Sequence, residues 1–221
     1  IIGHTLSYLT TWPYHLFRHG HNIHHATQGD LSRRTGVDFD TKTVSEYKAL
    51  GTWGRLAYRL YRNPVVLFVF GPLFLMLIRL YPDPKRTRKE IWGIVVNVLN
   101  ITALGTLAYF TVGLGVFFWV LFPVAYLATA FGFYLFYTQH QFEDTYWGDR
   151  DAGTWSFQEA AVEGSSFFDM NPVMRWFTAN IGYHHIHHMS ARVPNYLLKA
   201  CHEAVDELQD MPTRLTFATT L

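Results

Sequence analysis

Two stretches of this chain, His21-Asn22-Ile23-His24-His25 and His184-His185-Ile186-His187-His188, each spell His-x-x-His-His. Residues at i, i+3 and i+4 share one face of a helix, so each stretch offers three imidazoles to a common point. With 12 histidines in 221 residues, roughly 0.03 matches are expected by chance in a chain this long, and two are rarer still. Neutral imidazole suits zinc, copper, iron and nickel, so ligand type alone leaves the metal open. Ligand number narrows the choice. Structural zinc takes four ligands and catalytic zinc three plus water, whereas these two stretches supply six imidazoles, enough for two metals. Such a set points to oxygen chemistry at iron.

Other residues rank around that pair. His140, in Gln139-His140-Gln141-Phe142-Glu143-Asp144, is placed to join the ligands, and an ordinary interfacial polar role is equally open. His19 points about 200° away from His21 on a helix and falls off the ligand face. His4, His15 and His202 read as structural or surface residues. Metal-bound imidazoles donate their second N–H to a carboxylate or carbonyl. Asp30, Glu143, Asp144, Asn180 and His185 are candidates for that contact. Cys201 is the one cysteine, which excludes an intrachain disulfide and any cysteine-built zinc or iron–sulfur site. It is expected to pack as a small apolar residue in the helical run from Tyr196 to Leu208.

The elements that must carry these residues are apolar. The composition is 49% hydrophobic and 16% charged, against about 25% charged in soluble domains. A net charge of +1 leaves no basic surplus for nucleic acid. From Ile91 to Phe142 there is no Asp, Glu, Lys or Arg, enough for two crossings of about 20 residues each. Gly113 and Gly115 mark the turn, predicting spans at about 91–111 and 116–138. A second apolar run, 65–78, is short and holds Gly71-Pro72. Arg55, Arg59 and Arg62 precede it, and Arg79, Lys85, Arg86, Arg88 and Lys89 follow. Both its ends are therefore expected on the cytoplasmic side, as a re-entrant or interfacial segment. If both histidine stretches build one site, an even number of crossings must separate them, and two spans satisfy this.

The remainder reads as cytoplasmic helices. Thr10-Thr11-Trp12-Pro13 opens a helix through the first stretch. Asn171-Pro172 repeats the signal before the second stretch, and Pro194 ends it. Gly20 and Gly182 are expected inside these helices, at a cost in propensity that close approach of another backbone or a substrate chain would justify. The predicted fold is all-α and membrane-embedded: a transmembrane helical hairpin with a cytoplasmic helical cap carrying the histidines. Residues 1–63 and 143–221 form the cytoplasmic parts and 64–142 the membrane part. The first residue is Ile, with no basic leader before a cleavage site, so the chain is expected to be a fragment of a longer one.

The stretches HNIHHATQGD (His21 to Asp30), YTQHQFEDTYW (Tyr137 to Trp147) and NIGYHHIHH (Asn180 to His188) resemble the integral-membrane fatty acid desaturases. The likeness is to the acyl-lipid delta-12/omega-6 branch and covers essentially the whole chain. It implies a non-haem di-iron centre, with dioxygen as co-substrate, that removes two hydrogens from an acyl chain to form a cis double bond. Carried over, the ligands are His21, His24 and His25, then His184, His187 and His188, with His140 as the additional histidine. The family's first box, His-x-x-x-His, has no match here, since His4 stands without a partner at that spacing. By this likeness the chain starts after that box, and as given does not assemble a complete di-iron site. The implied partners are an acyl-lipid substrate, membrane lipid and an electron donor such as ferredoxin or cytochrome b5. The implied location is the bacterial inner membrane, with the histidines on the cytoplasmic side. Two further readings stay open: a related histidine-box hydroxylase or ketolase, and an inactive truncated chain that only binds metal.

Overall fold

The computed structural model describes residues 2–220, which divide into two compact units. The first unit takes the chain up to Asn22 and Thr41–Tyr134. Helix α1 (Ile2–Thr10) turns into α2 (Tyr14–Thr27) at a corner where Thr11 has φ 52°. Ser7 holds that corner. Its hydroxyl donates to the Trp12 carbonyl at 2.5 Å and accepts from Tyr14 N at 3.2 Å. Helix α2 therefore begins just after Pro13, as the Pro signal predicts.

Short helices α3 (Val44–Ala49) and α4 (Thr52–Tyr61) follow. A π turn at Val66–Phe70 then leads into α5 (Gly71–Ile78). The axes of α4 and Val66–Ile78 meet at 62°, around Asn63-Pro64. The Asn63 side chain caps the new start, accepting from Val65 N at 3.0 Å. A second π turn, Phe117–Leu121, lies between α7 (Leu114–Val116) and α8 (Phe122–His140). Each π turn sits just ahead of a proline, Pro72 and Pro123. Proline cannot donate to the carbonyl four residues back and its ring crowds that carbonyl, so the ladder widens there instead of breaking.

Among the described residues, two helical segments are long and apolar enough to cross a membrane, α6 (Arg88–Thr111) and Leu114–His140, with a third only if the bent pair Thr52–Tyr61 and Val66–Ile78 is one span. They extend the expected 91–111 and 116–138 by a few residues at their ends. Thr87 starts α6 with a capping box: its hydroxyl accepts from Glu90 N, and Glu90 accepts from Thr87 N at 2.8 Å. The turn between the spans uses Gly113 at φ 86°. Phe110 is 78% and Trp119 83% exposed, surface that water would penalise and a bilayer accepts. The hydroxyls of Thr102, Thr106 and Thr111 bond back to carbonyls four residues earlier, which satisfies them without water.

The second unit contains Ile23–Asp40 and Leu135–Leu221, including the last turns of α2 and α8. Its further elements are α9 (Phe157–Val162), α10 (Pro172–Phe177), α11 (His184–Met189), α12 (Leu198–Glu203) and α13 (Glu207–Asp210). One small departure from an all-α fold is a parallel pair, β1 (Phe167–Phe168) with β2 (Arg214–Leu215). Phe167, Tyr183, Ile186 and Leu198 form the buried core, with Cys201 and Leu208 packed against it. Cys201 thus packs as the small apolar residue its sequence context predicts.

The expected helix from Pro172 through the second histidine stretch does not form as one piece. Helix α10 ends at Phe177, and Ala179 and Asn180 adopt left-handed φ of 53° and 58°. The reversal is locked by Asn180 Nδ2, which donates to the Asn195 carbonyl at 3.0 Å. Gly182 consequently lies outside any helix. A Cβ on it would strike the Phe168 carbonyl oxygen, while the Gly182 carbonyl accepts from Phe168 N at 2.8 Å. Close backbone approach is the reason for glycine at this position.

Candidate metal centre

Adjacent residues on a helix point about 100° apart, so neighbouring histidines cannot aim at one spot. The structure divides each stretch accordingly. His24 from α2, His140 from the last turn of α8, and His184 and His188 from α11 converge in a buried quartet. Their ligand nitrogens all lie within 4.8 Å of one another. His24 Nε2 is 3.1 Å from both His140 Nε2 and His188 Nε2, and His184 Nε2 is 2.8 Å from His140 Nε2. The other members turn to a second spot, where His25 Nε2 lies 3.0 Å from His187 Nε2. His21 precedes His25 by one turn on α2.

Hydrogen bonds behind the quartet decide which nitrogens face inward. His140 Nδ1 lies 3.0 Å from the Gly164 carbonyl, which can only accept. With the proton on that nitrogen, His140 donates to the carbonyl and Nε2 presents its lone pair. His24 Nδ1 pairs with the Asp38 carboxylate, so its Nε2 is also directed inward as a lone pair. Burial holds the pKa values of His184 and His188 well below the ordinary imidazole range, keeping both neutral and ready to ligate. Lone pairs facing one another at 3.1 Å repel unless a cation sits among them. A nitrogen-rich set with carboxylate and carbonyl support fits a first-row transition metal.

The fatty acid desaturase family model matches residues 1–219. The chain belongs to the fatty acid desaturase family. A fatty acid desaturase of Bacillus subtilis (strain 168) is 41% identical over 222 residues, covering 100% of this chain. The chain spans 62% of the length of that relative. No solved structure matches it.

In this desaturase-family chain the supporting contacts differ from most of those singled out by sequence. Asp30 is buried, but its oxygens accept from Ser32 Oγ at 2.7 Å and Arg150 Nε at 2.9 Å. Arg150 also donates to the Ala26 carbonyl at 3.1 Å, so Asp30 tethers the end of α2. Burial works against the Asp30 carboxylate, yet its bonds to Ser32 and Arg150 hold its pKa below the usual range. Glu143 and Asp144 sit exposed in the turn after α8, Asn180 closes the α10–α11 reversal, and His185 faces His202 rather than the quartet.

Sequence reasoning missed Asp38, Gln28 and Gly164. Asp38, fourteen residues past His24 in an irregular loop, carries no periodic signal. Burial raises its pKa to about 6, opposed by the nearby His140. Gln28 Nε2 donates to the Gly164 carbonyl at 2.6 Å and lies 3.1 Å from His140 Nδ1. Its i+4 spacing from His24 places it on the quartet face of α2, a signal available in the sequence. Gly164 contributes only a backbone carbonyl, which no residue type announces.

Proposed function

We propose that this chain forms most of the active site of an acyl-chain desaturase that uses dioxygen. The carrying observation is that His24, His184 and His188 join His140 in a buried quartet while His25 pairs with His187 outside it, which suits two neighbouring metal ions rather than one. Two iron ions, when bound, would supply dioxygen activation and the oxidising equivalents for breaking unactivated C–H bonds. In the overall reaction a –CH2–CH2– pair loses two hydrogens and becomes –CH=CH–. One dioxygen, two electrons and two protons are consumed with them, and two waters leave. His24, His140, His184 and His188 would hold one ion, and His21, His25 and His187 contribute to the other. Asp38 and the Gly164 carbonyl keep the inward nitrogens unprotonated. Phe136, with its ring 4.8 Å from His24, and Phe39 behind it at 5.5 Å exclude water from the quartet.

This chain carries no glycine fingerprint for a nucleotide and no cysteine cluster, and an electron donor of the ferredoxin or cytochrome b5 kind would supply the two electrons. The quartet draws on residues both before and after the apolar segments. An even number of crossings follows, supporting two spans, with Val66–Ile78 held at one face as a non-crossing segment. The arginine and lysine flanks favour the cytoplasmic side of a bacterial inner membrane for the histidines.

Expression of the full-length protein that contains this chain, in a host lacking such double bonds, followed by mass spectrometry of its membrane lipids, tests the reading. New cis double bonds are expected. Oxygenated products instead would establish a hydroxylase or ketolase, and lipids identical to those from a His24→Ala control would make the chain inactive.

A further inference from the structure

Beneath α11 lies another imidazole pair, turned away from the quartet. His185 is fully buried and His202, on α12, is 7% exposed. His185 Nε2 stands 3.1 Å from His202 Nδ1, with the rings at 73°. The His202 ring is itself clamped, 4.6 Å from Phe167 and 5.2 Å from Tyr183. Neutral imidazole offers one donor and one acceptor, so one ring of the pair donates to the other. This pair is a polar contact between α11 and the core beneath it, alongside the packing of Tyr183, Ile186 and Leu198.

Helix α11 is six residues long, too short to hold its own conformation in isolation. Apolar contacts are non-directional and resist its departure from the core better than its rotation about its axis. A directional hydrogen bond from His185, about 100° around the helix from His184, resists that rotation. An imidazole nitrogen lies roughly 6–7 Å from the axis of its helix, so a rotation of about 10° displaces it by about 1 Å. Such a displacement is large on the scale of a metal–nitrogen bond of about 2 Å.

We propose that His202 is a positioning residue: its hydrogen bond to His185 sets the rotation of α11 and thereby the aim of His184, His187 and His188. This rests on the metal-site reading above. It also changes the standing of His202, which its sequence context marks as an ordinary structural or surface residue.

The test is iron(II) loading of the purified protein in lipid nanodiscs, read as iron per chain, rate of loss to a chelator and Mössbauer spectrum. His202→Asn places an amide atom where Nδ1 stands, whereas His202→Gln carries its amide one methylene further out and His202→Leu has none. His202→Asn is expected to retain iron within about threefold of the parent with the same quadrupole splitting. His202→Gln and His202→Leu are expected to lose it about 10–100 times faster, the range for removing a group that orients a ligand, with a broadened spectrum. Should His202→Leu fail to accumulate, the Asn and Gln variants still decide the matter, because both are polar and close in size. Equal iron retention in those two, or Asn losing iron as fast as Gln, overturns the proposal. A parent protein that takes up no iron overturns the metal-site reading itself, and the positioning role with it.

Discussion

The two histidine stretches share one spelling and are supported in different ways. The first lies in the last three turns of a 14-residue helix, α2, whose own ladder sets the angles among His21, His24 and His25. The second occupies the six-residue α11, entered through two left-handed residues and a glycine pressed against Phe168. A long helix presents ligands by its local geometry. A short one presents them only where tertiary contacts hold it, and those of α11 include the Gly182–Phe168 backbone pair, the Asn180–Asn195 cap and the His185–His202 bond.

Changes that ignore this difference should have the largest effect. His24→Ala and His188→Ala each remove one quartet member, and in the full-length protein both are expected to abolish the desaturation proposed above. Residual activity in only one of them would show that the stretches are unequal partners. Gly182→Val attacks the support of α11 alone. Its side chain would meet the Phe168 carbonyl, a backbone atom that cannot give way, and overpacking costs about 1–3 kcal/mol or more. Thermal unfolding in detergent should shift down by several degrees with loss of bound iron. By contrast Asn22→Ala, on the exposed face of α2, should leave the midpoint within experimental error.

Asp38→Asn probes the support of the first stretch. It leaves His24 without its carboxylate, and iron affinity should fall about 10–100-fold with folding intact. Unchanged affinity would mean that α2 orients His24 unaided. Ala179→Gly works in the opposite direction. A non-glycine residue in the left-handed region costs about 1–2 kcal/mol, so relieving it should raise the melting temperature by a few degrees.

The smallest effect concerns acid. Arg214 and Arg175 hold the Asp169 carboxyl, behind α10, below its usual pKa, with bonds of 2.5 and 2.7 Å. A depressed carboxyl contributes stability that is present above the unfolded-state value of about 3.9 and lost as pH falls through the lower folded value. Acid unfolding profiles of parent and Asp169→Asn should therefore differ above about pH 4 and converge below it. Curves that stay parallel across the whole range would remove Asp169 from the support of this region.

Legibility followed range. The spans could be read because a charge-free run needs no partner to be recognised, and the start of α2 because Pro13 acts on its own backbone. The π turns at Val66–Phe70 and Phe117–Leu121 were foreshadowed by Pro72 and Pro123 but not predicted as such. The break between α10 and α11 escaped the sequence, since Ala179 is a good helix former placed by tertiary contacts in a conformation it disfavours.

By itself the sequence determined the ligand residues on offer and the two long apolar helices, because residue type and helical period are local properties. Tertiary structure alone decided that His24, His140, His184 and His188 gather in the quartet while His25 and His187 pair outside it, and which groups stand behind them. Asp38, the Gly164 carbonyl and His202 reach their partners across 14, 24 and 17 residues of chain. Separations like these have no period to read, and only the packed backbone closes them.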